Sequence, residues 1–448
     1  MKKLLLTFVV CWPRLAMADA VIDWNEVATS AAIAAGLSTP DASLDPVHES
    51  RIFAMAHVAI HDALNAIDRR YKPYAFRAHA FPDAAPDAAV SAAAHDVLVA
   101  LFRQIPNPPF PPDAVDAAIE VIETAYRTAL SAIRDGPAKT VGISVGRASA
   151  ATILALRAAD GSDATFLDFN YVSGSEPGDF QFIPGFPFAV APDWGKVTPF
   201  VLKSSTQFPP QRPYGLASKH YATDFNEVKS LGAVNSATRT PEQTEIALFW
   251  VESSVLGWNR IARTVSVQHG LDLWDDARLF ALLNLASADG YIADFQNKYA
   301  FRFWRPITAI RAADSDGNPD TIADPAWDSL RPTPAAPDYT SGHSVQGGAM
   351  SEVLAWFFGT DNVNFSTTST TLPGVFRSFS SFLQAAEENG NSRVYVGFHF
   401  RHAVNEGIKL GQKIGKIAFD HYLQKAQCRV HESERKHSNT ESPGFCIQ

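Results

Sequence analysis

Apolar residues in this chain recur at helical spacing over long stretches, and that pattern restricts it to a fold built from helices. Within residues 50–66, Ile52, Met55, Ala56, Val58, Ala59, Ala63 and Leu64 fall on one stripe. Residues 88–102 and 112–135 repeat the habit, and 139–159 is rich in Ala, the best helix former. The pattern breaks at 161–213, which is dense in Gly, Pro, Phe and Ser. Such a stretch reads as a long irregular connection, or a cap over something, and not as a strand-rich domain. Helical patterns resume at 240–266, where Pro241 and Glu242 suit a first turn, and at 273–300. After a loop at 311–339 rich in Asp, Pro and Gly, residues 343–358, 375–389 and 393–424 read as three more helices. The expected fold is all-α, with two helical bundles flanking the central connection.

Charge narrows the partners. The chain is acidic, with a formal net charge of −9, whereas a nucleic-acid binder shows a strongly basic face. Residues 1–18 carry Lys2, Lys3 and Arg14, a short apolar run and the small-residue site Ala16-Met17-Ala18. They read as a signal peptide cleaved near Ala18, which implies a secreted or periplasmic bacterial protein. No later run is apolar for long enough to span a membrane, so stable membrane insertion is not expected. The segments are then 1–18, the signal peptide; 19–160, an N-terminal helical bundle; 161–239, the Gly/Pro-rich connection and cap; 240–425, a C-terminal bundle; and 426–448, a polar tail. Cys11 would leave with the signal. Cys428 and Cys446 remain in the tail, either as a disulfide or as two free thiols. Apolar helices would allow a homodimer, although no face is singled out.

Three segments carry residues suited to chemistry. In the first, Lys298 stands seven residues before Arg305-Pro306, a spacing that on a helix places both on one face. The second, Pro337-Asp338-Tyr339-Thr340-Ser341-Gly342-His343, reads as a turn opening into an apolar helix. Its Ser hydroxyl suits an N-cap, and free N–H groups at a helix start attract anions. The third is Ser392-Arg393 followed by His399. Three permanent cations, a hydroxyl, a helix N-terminus and two His suit a tetrahedral oxyanion with several negative charges. Each segment alone is a weak signal. Together, in this order, they are specific.

That order resembles the vanadium-dependent haloperoxidases and the wider superfamily of type 2 phosphatidic acid phosphatases. The surroundings are closer to the haloperoxidase branch, notably Phe303-Trp304-Arg305-Pro306 and Gly397-Phe398-His399-Phe400, and the resemblance covers about residues 241–423. It implies a vanadate cofactor at the end of the C-terminal four-helix bundle, roofed by residues 161–213. Lys298, Arg305, Ser341, Gly342 and Arg393 would hold the vanadate oxygens, with His343 beside the apical one. His399 would be the metal ligand. His343 would be the acid–base residue, and Lys298 would polarise bound hydrogen peroxide for attack by halide. Glu252, from loose similarity, would be a carboxylate orienting His343 or a motif Arg. Arg302 and His402 would line the entrance.

Several positions depart from the family. Thr340 replaces a Pro, Phe295 replaces a frequent Trp, and Ala336 stands where bromide-using members carry His and chloride-using fungal members carry Phe. Bromide or iodide is expected over chloride. The same pocket would serve a soluble periplasmic acid phosphatase, which needs no cofactor and acts on a phosphate ester through a phosphohistidine at His399. A non-catalytic anion-capture protein is a third reading, disfavoured because capture needs no paired His. A separate arrangement, His57 and His61 at i, i+4 with Asp62, has metal-site spacing but apolar surroundings that favour a structural role.

Overall fold

A computed structural model describes residues 19–39, 42–78, 81–106 and 109–426. Residues 1–18, read above as a signal peptide, and Cys428 and Cys446 lie outside the described residues. Helices α1 (Ala20–Ala34), α2 (Pro46–Ile67), α3 (Pro86–Phe102), α4 (Pro112–Ala132) and α5 (Pro137–Leu156) form the first group. Pro stands in the first turn of α2 to α5, where its missing N–H costs nothing. The second half holds α6 (Lys219–Gly232), α7 (Pro241–Phe249), α8 (Ser254–His269), α9 (Leu273–Phe301), α10 (Pro306–Arg311), α11 (Gly342–Phe358), α12 (Phe382–Tyr395) and α13 (Arg401–His421). Strand structure among the described residues is confined to three antiparallel pairs: β1 (Ser38–Thr39) with β2 (Ala42–Ser43), β3 (Leu167–Asp168) with β4 (Ala189–Val190), and β5 (Phe365–Thr367) with β6 (Arg377–Phe379). The all-α expectation holds. Among the described residues, no helix is long and apolar enough to cross a membrane.

The helix α9 is buried along nearly all its length because it serves two neighbours. One side packs on α2 of the first group, and the other packs on α11 and α13. One apolar core therefore runs through both groups, from Phe53 and Phe102 to Phe280, Met350 and Phe382. Around α9, α11, α12 and α13 form the bundle that carries the motifs. Gly348, Gly411 and Gly415 let α11 and α13 touch backbone to backbone. A Cβ at Gly411 would lie 2.1 Å from the Val345 carbonyl oxygen. That close approach, with the Ser341 N–H donating to the Ala403 carbonyl at 3.1 Å, brings the starts of α11 and α13 to one end of the bundle.

Four sequence expectations are corrected. Residues 240–266 are not one helix: the chain breaks at Trp250–Ser253, and the Ser253 side chain caps α8. Residues 393–424 are not one helix either. Arg393 ends α12, and residues 396–400 form a loop before α13. Residues 375–389 begin as β6, whose Phe379 pairs with Phe365, so α12 starts only at Phe382. Within 161–239, α6 is a regular helix that periodicity did not single out.

The irregular segment before α6 is anchored at several points. Asp289 of α9 accepts the N–H groups of Phe200, Val201 and Leu202 at 2.6, 2.8 and 2.7 Å. Phe180 donates to the Arg302 carbonyl, Trp304 to that of Gly178, and Val190 to that of Ala335. These bonds lay the segment against the chain just after α9.

Candidate active site

Helix α9 ends at Phe301 because Arg302 takes a left-handed conformation, φ +50°. Lys298 therefore sits in the last helical turn, while Arg305 lies beyond it as the N-cap of α10. The expectation that they share a helix face is corrected, yet the turn points both inward. Lys298, Arg305 and Arg393 are all nearly excluded from solvent, at 3%, 2% and 1% exposure. Lys298 Nζ donates to the carbonyls of Pro337 at 3.1 Å, Asp338 at 3.2 Å and Thr340, and it lies 3.7 Å from Asp294 Oδ2. It thereby ties down the loop leading into α11. Arg305 donates to the carbonyls of Ala336 at 2.6 Å and Phe398 at 2.9 Å, and to His399 Nε2 at 3.0 Å. Arg393 donates to Ser392 Oγ at 2.9 Å and to the Trp250 carbonyl at 2.7 Å.

Burial disfavours the charged form of every one of these cations. It lowers Lys298 to about 8, Arg305 to about 10 and Arg393 to about 9. Asp294 and Asp338 oppose them, and burial raises both carboxyls, Asp338 to about 7. Three buried cations against two reluctant carboxylates leave the site short of negative charge.

The hydrogen bonds assign both His tautomers. Arg305 can only donate, so His399 Nε2 accepts, and the ring proton sits on Nδ1, 2.9 Å from Asp338 Oδ1. His343 Nε2 faces the Glu252 backbone carbonyl at 3.0 Å and must donate to it, which leaves Nδ1 as that ring's basic atom. Burial, with the neighbouring cations, pushes both imidazoles well below their usual range, so both are neutral. His399 thus presents an unprotonated Nε2 braced from behind by a carboxylate, an arrangement typical of metal-ligating His.

Ser341 is the N-cap of α11, but its hydroxyl caps no backbone N–H. It accepts from Ser344 Oγ at 2.9 Å, which corrects the side-chain cap expected there. A Cβ at Gly342 would lie 3.0 Å from Asp294 Oδ2, so only Gly leaves this approach clear. Thr340, where the sequence resemblance leads one to expect a Pro, donates its hydroxyl to Asp294 at 2.7 Å, and its carbonyl accepts from Lys298. The substitution adds a tie to the loop.

Glu252 is placed differently from expectation. Its carboxylate forms a two-point pair with Arg260, both contacts at 2.9 Å, and accepts from Thr370. Only its backbone carbonyl reaches His343. The carboxylate that orients a site His is Asp338, which the sequence reading passed over although it lies inside the second motif. Asp294, four residues before Lys298, was also passed over, and i, i+4 spacing to a Lys was its signal.

Arg302 and His402 lie at the periphery. Arg302 donates to the Val172 carbonyl at 3.3 Å, and its guanidinium is 5.8 Å from the Tyr171 ring. His402 stacks on Tyr214 at 3.9 Å and meets the Arg212 carbonyl at 2.9 Å. With Phe303, Tyr339 and Asp338 these rings enclose a cavity of about 10 Å³, room for one water. Ala336 is buried and offers its carbonyl to Arg305, and Phe295 packs in the core. His57 and His61 are far from this chemistry. His57 meets Asn25 at 2.9 Å, and Asp62 accepts the N–H groups of Tyr74, Ala75 and Phe76, so these groups brace helix α2 and the loop after it.

The donor set fits vanadate: three cations, the first turn of α11 with its Gly, and a neutral His whose unprotonated Nε2 accepts from Arg305. Comparison with known proteins agrees with that chemistry. Residues 278–427 match the family model for the second helical-bundle domain of VCPO. The vanadium chloroperoxidase of Curvularia inaequalis is 26% identical over 289 aligned positions, covering 49% of this chain and 47% of that protein. The chain spans about half the length of this curated relative. The crystal structure of a bacterial vanadium-dependent iodoperoxidase superposes with a TM-score of 0.75 at 25% identity, covering 91% of this chain and 98% of that one. A bacterial vanadium-dependent chloroperoxidase shares the fold at 16% identity, with a TM-score of 0.66 over 84% of this chain and 94% of that one. The resemblance read from the three motifs is borne out.

Proposed function

We propose that this chain, a relative of the vanadium-dependent haloperoxidases, is itself a vanadate-dependent enzyme that oxidises halide with hydrogen peroxide to hypohalous acid. The observation that carries this reading is the pair of neutral His residues with opposite tautomers beside three buried cations. A simple anion trap needs the cations alone.

Lys298, Arg305, Arg393 and the α11 start at Ser341-Gly342 would hold the oxygens of vanadate, and His399 Nε2 would ligate the metal. Bound there, vanadate supplies a Lewis-acidic centre that activates hydrogen peroxide toward halide. Asp338 holds the His399 ring in the tautomer that leaves Nε2 unprotonated, and Arg305 would release that nitrogen to the metal. His343, fixed through Nε2–H, exchanges protons at Nδ1, and its depressed basicity lets it release a proton again near neutral pH. The three cations would offset the negative charge of the bound anion. Residues 161–213 would roof the site and limit the access of water.

For the halide we propose iodide or bromide before chloride. The iodoperoxidase structure matches 91% of this chain at 25% identity, against 16% for the chloroperoxidase structure. Ala336 puts neither an aromatic ring nor an imidazole at its position. The reading also carries export, which N-terminal sequencing of the secreted protein checks by a start at Asp19.

The test is direct. Purified protein incubated with orthovanadate is assayed for peroxide-dependent oxidation of iodide, bromide and chloride. The same protein without vanadate is assayed for hydrolysis of p-nitrophenyl phosphate. Vanadate-dependent halide oxidation supports the reading. Hydrolysis alone, inhibited by vanadate, transfers the site to phosphoryl chemistry through His399.

A further inference from the structure

The turn Trp250–Ser253 interrupts what would otherwise be one helix, and the interruption has a consequence for the site. Inside a helix the carbonyls of Trp250 and Glu252 would be taken by N–H groups four residues on. In the turn they are released. Trp250 offers its carbonyl to Arg393 at 2.7 Å, and Glu252 offers its own to His343 at 3.0 Å. The next residue, Ser253, points the other way. Its hydroxyl bonds to Glu49 Oε2, on helix α2 of the first group.

Glu49 is wholly buried, and its second oxygen accepts from Ser38 Oγ at 3.0 Å. Two hydroxyls hold it, and among the described residues the largest charges acting on it are carboxylates. The ionisable groups that act on it are Asp45, the N-cap of its own helix, and Glu252 on the turn, and it in turn acts on Tyr291 of α9. Burial, with those two carboxylates, raises its carboxyl to about 8 against the pull of the hydroxyls. At neutral pH it is an uncharged acid, which grips the turn without placing an anion behind Arg393. The Ser253 hydroxyl is drawn toward it and reaches the Leu256 N–H only at 3.5 Å.

We propose that Glu49 is a positioning residue for His343. Acting through Ser253, it fixes the turn whose Glu252 carbonyl sets the His343 tautomer and whose Trp250 carbonyl seats Arg393. The inference rests on the haloperoxidase reading for its kinetic arm only.

The test uses the full chain with ¹⁵N-labelled histidine. The Nε2–H resonance of His343 is identified by its loss in His343→Gln. Ser253→Ala and Glu49→Ala are expected to shift or broaden it. Both are also expected to lower kcat for halide oxidation about tenfold or more, a part of what a positioned acid–base group supplies. The KM for peroxide should stay within about threefold, since the loss lies in proton transfer and not in binding. Glu49→Gln keeps the shape and both hydroxyl contacts and should restore resonance and kcat. Should Glu49→Ala fail to fold, Ser253→Ala decides, since it removes a single atom. An unmoved His343 resonance in Ser253→Ala overturns the proposal. If the wild-type chain oxidises no halide yet the resonance responds, the enzymatic reading fails and the positioning role stands. If halide is oxidised but neither resonance nor kcat responds, the positioning role alone fails.

Discussion

Asp338 Oδ1 stands 2.9 Å from His399 Nδ1, and both groups are buried at the point where the loop before α11 meets the loop before α13. The two residues come from different motifs, so this contact welds the halves of the site together. It also decides which ring nitrogen is free. Asp338→Asn replaces the acceptor of the His399 Nδ1–H by a group that can also donate, and Asp338→Ala removes the brace. Both should weaken vanadate binding by about 10–100-fold, the usual cost of losing a metal ligand's outer partner. Equilibrium dialysis against vanadate measures this, and unchanged affinity would show that Arg305 alone orients the ring.

Much of this site is legible in the sequence, for a physical reason. Lys298, Arg305, Ser341, Gly342, His343, Arg393 and His399 lie in short segments whose spacing is local. What escaped depends on contacts between distant segments. The breaks at Trp250–Ser253 and Gly397 fall inside helical patterns, because apolar periodicity reports the face buried and not where tertiary acceptors take the carbonyls over. The sequence offers the carboxylate of Glu252, but the fold uses its backbone carbonyl. Asp338 became visible only when His399 was placed beside it.

The loop that carries His399 turns at Gly397, φ +87°, where a Cβ would also stand 2.6 Å from the Gly232 carbonyl oxygen. Space and backbone conformation both demand Gly here. Gly397→Ala should destabilise the fold by roughly 2 kcal/mol or more, as strain plus overpacking does. The surviving folded protein should bind vanadate more weakly, because α6 must retreat from the His399 loop. Thermal melts with and without vanadate measure both effects. An unchanged melting temperature would mean that the loop turns in another way.

Asp276 gives the clearest pH signature in the scaffold. It is buried, accepts from the Ser266 hydroxyl and lies against Asp19. Burial and that neighbour push it up to about 8. Its folded value lies above its unfolded one, so the unfolded chain gives up the proton first as pH rises. The group therefore costs nothing below about pH 4 and draws stability away increasingly between about pH 4 and 8. Asp276→Asn should raise the melting temperature at pH 7, by about 2 °C or more. The gain should vanish near pH 4. A gain of equal size at both pH values would assign the effect to packing.

Glu252 and Arg260 separate side chain from backbone at a single residue. The carboxylate is buried and paired with the Arg260 guanidinium on two points, while the carbonyl of the same residue holds His343. Arg260→Met leaves a buried carboxylate without its cation and should cost about 3 kcal/mol or more, with a small discount because the Arg side chain is 17% exposed. Adding Glu252→Gln should recover part of that loss, a coupling of about 1–3 kcal/mol in a double-mutant cycle. Glu252→Gln alone keeps the carbonyl, so kcat should stay within about threefold of wild type. A collapse of kcat in Glu252→Gln with an intact fold would return the carboxylate itself to the chemistry and remove Asp338 as the only orienting acid.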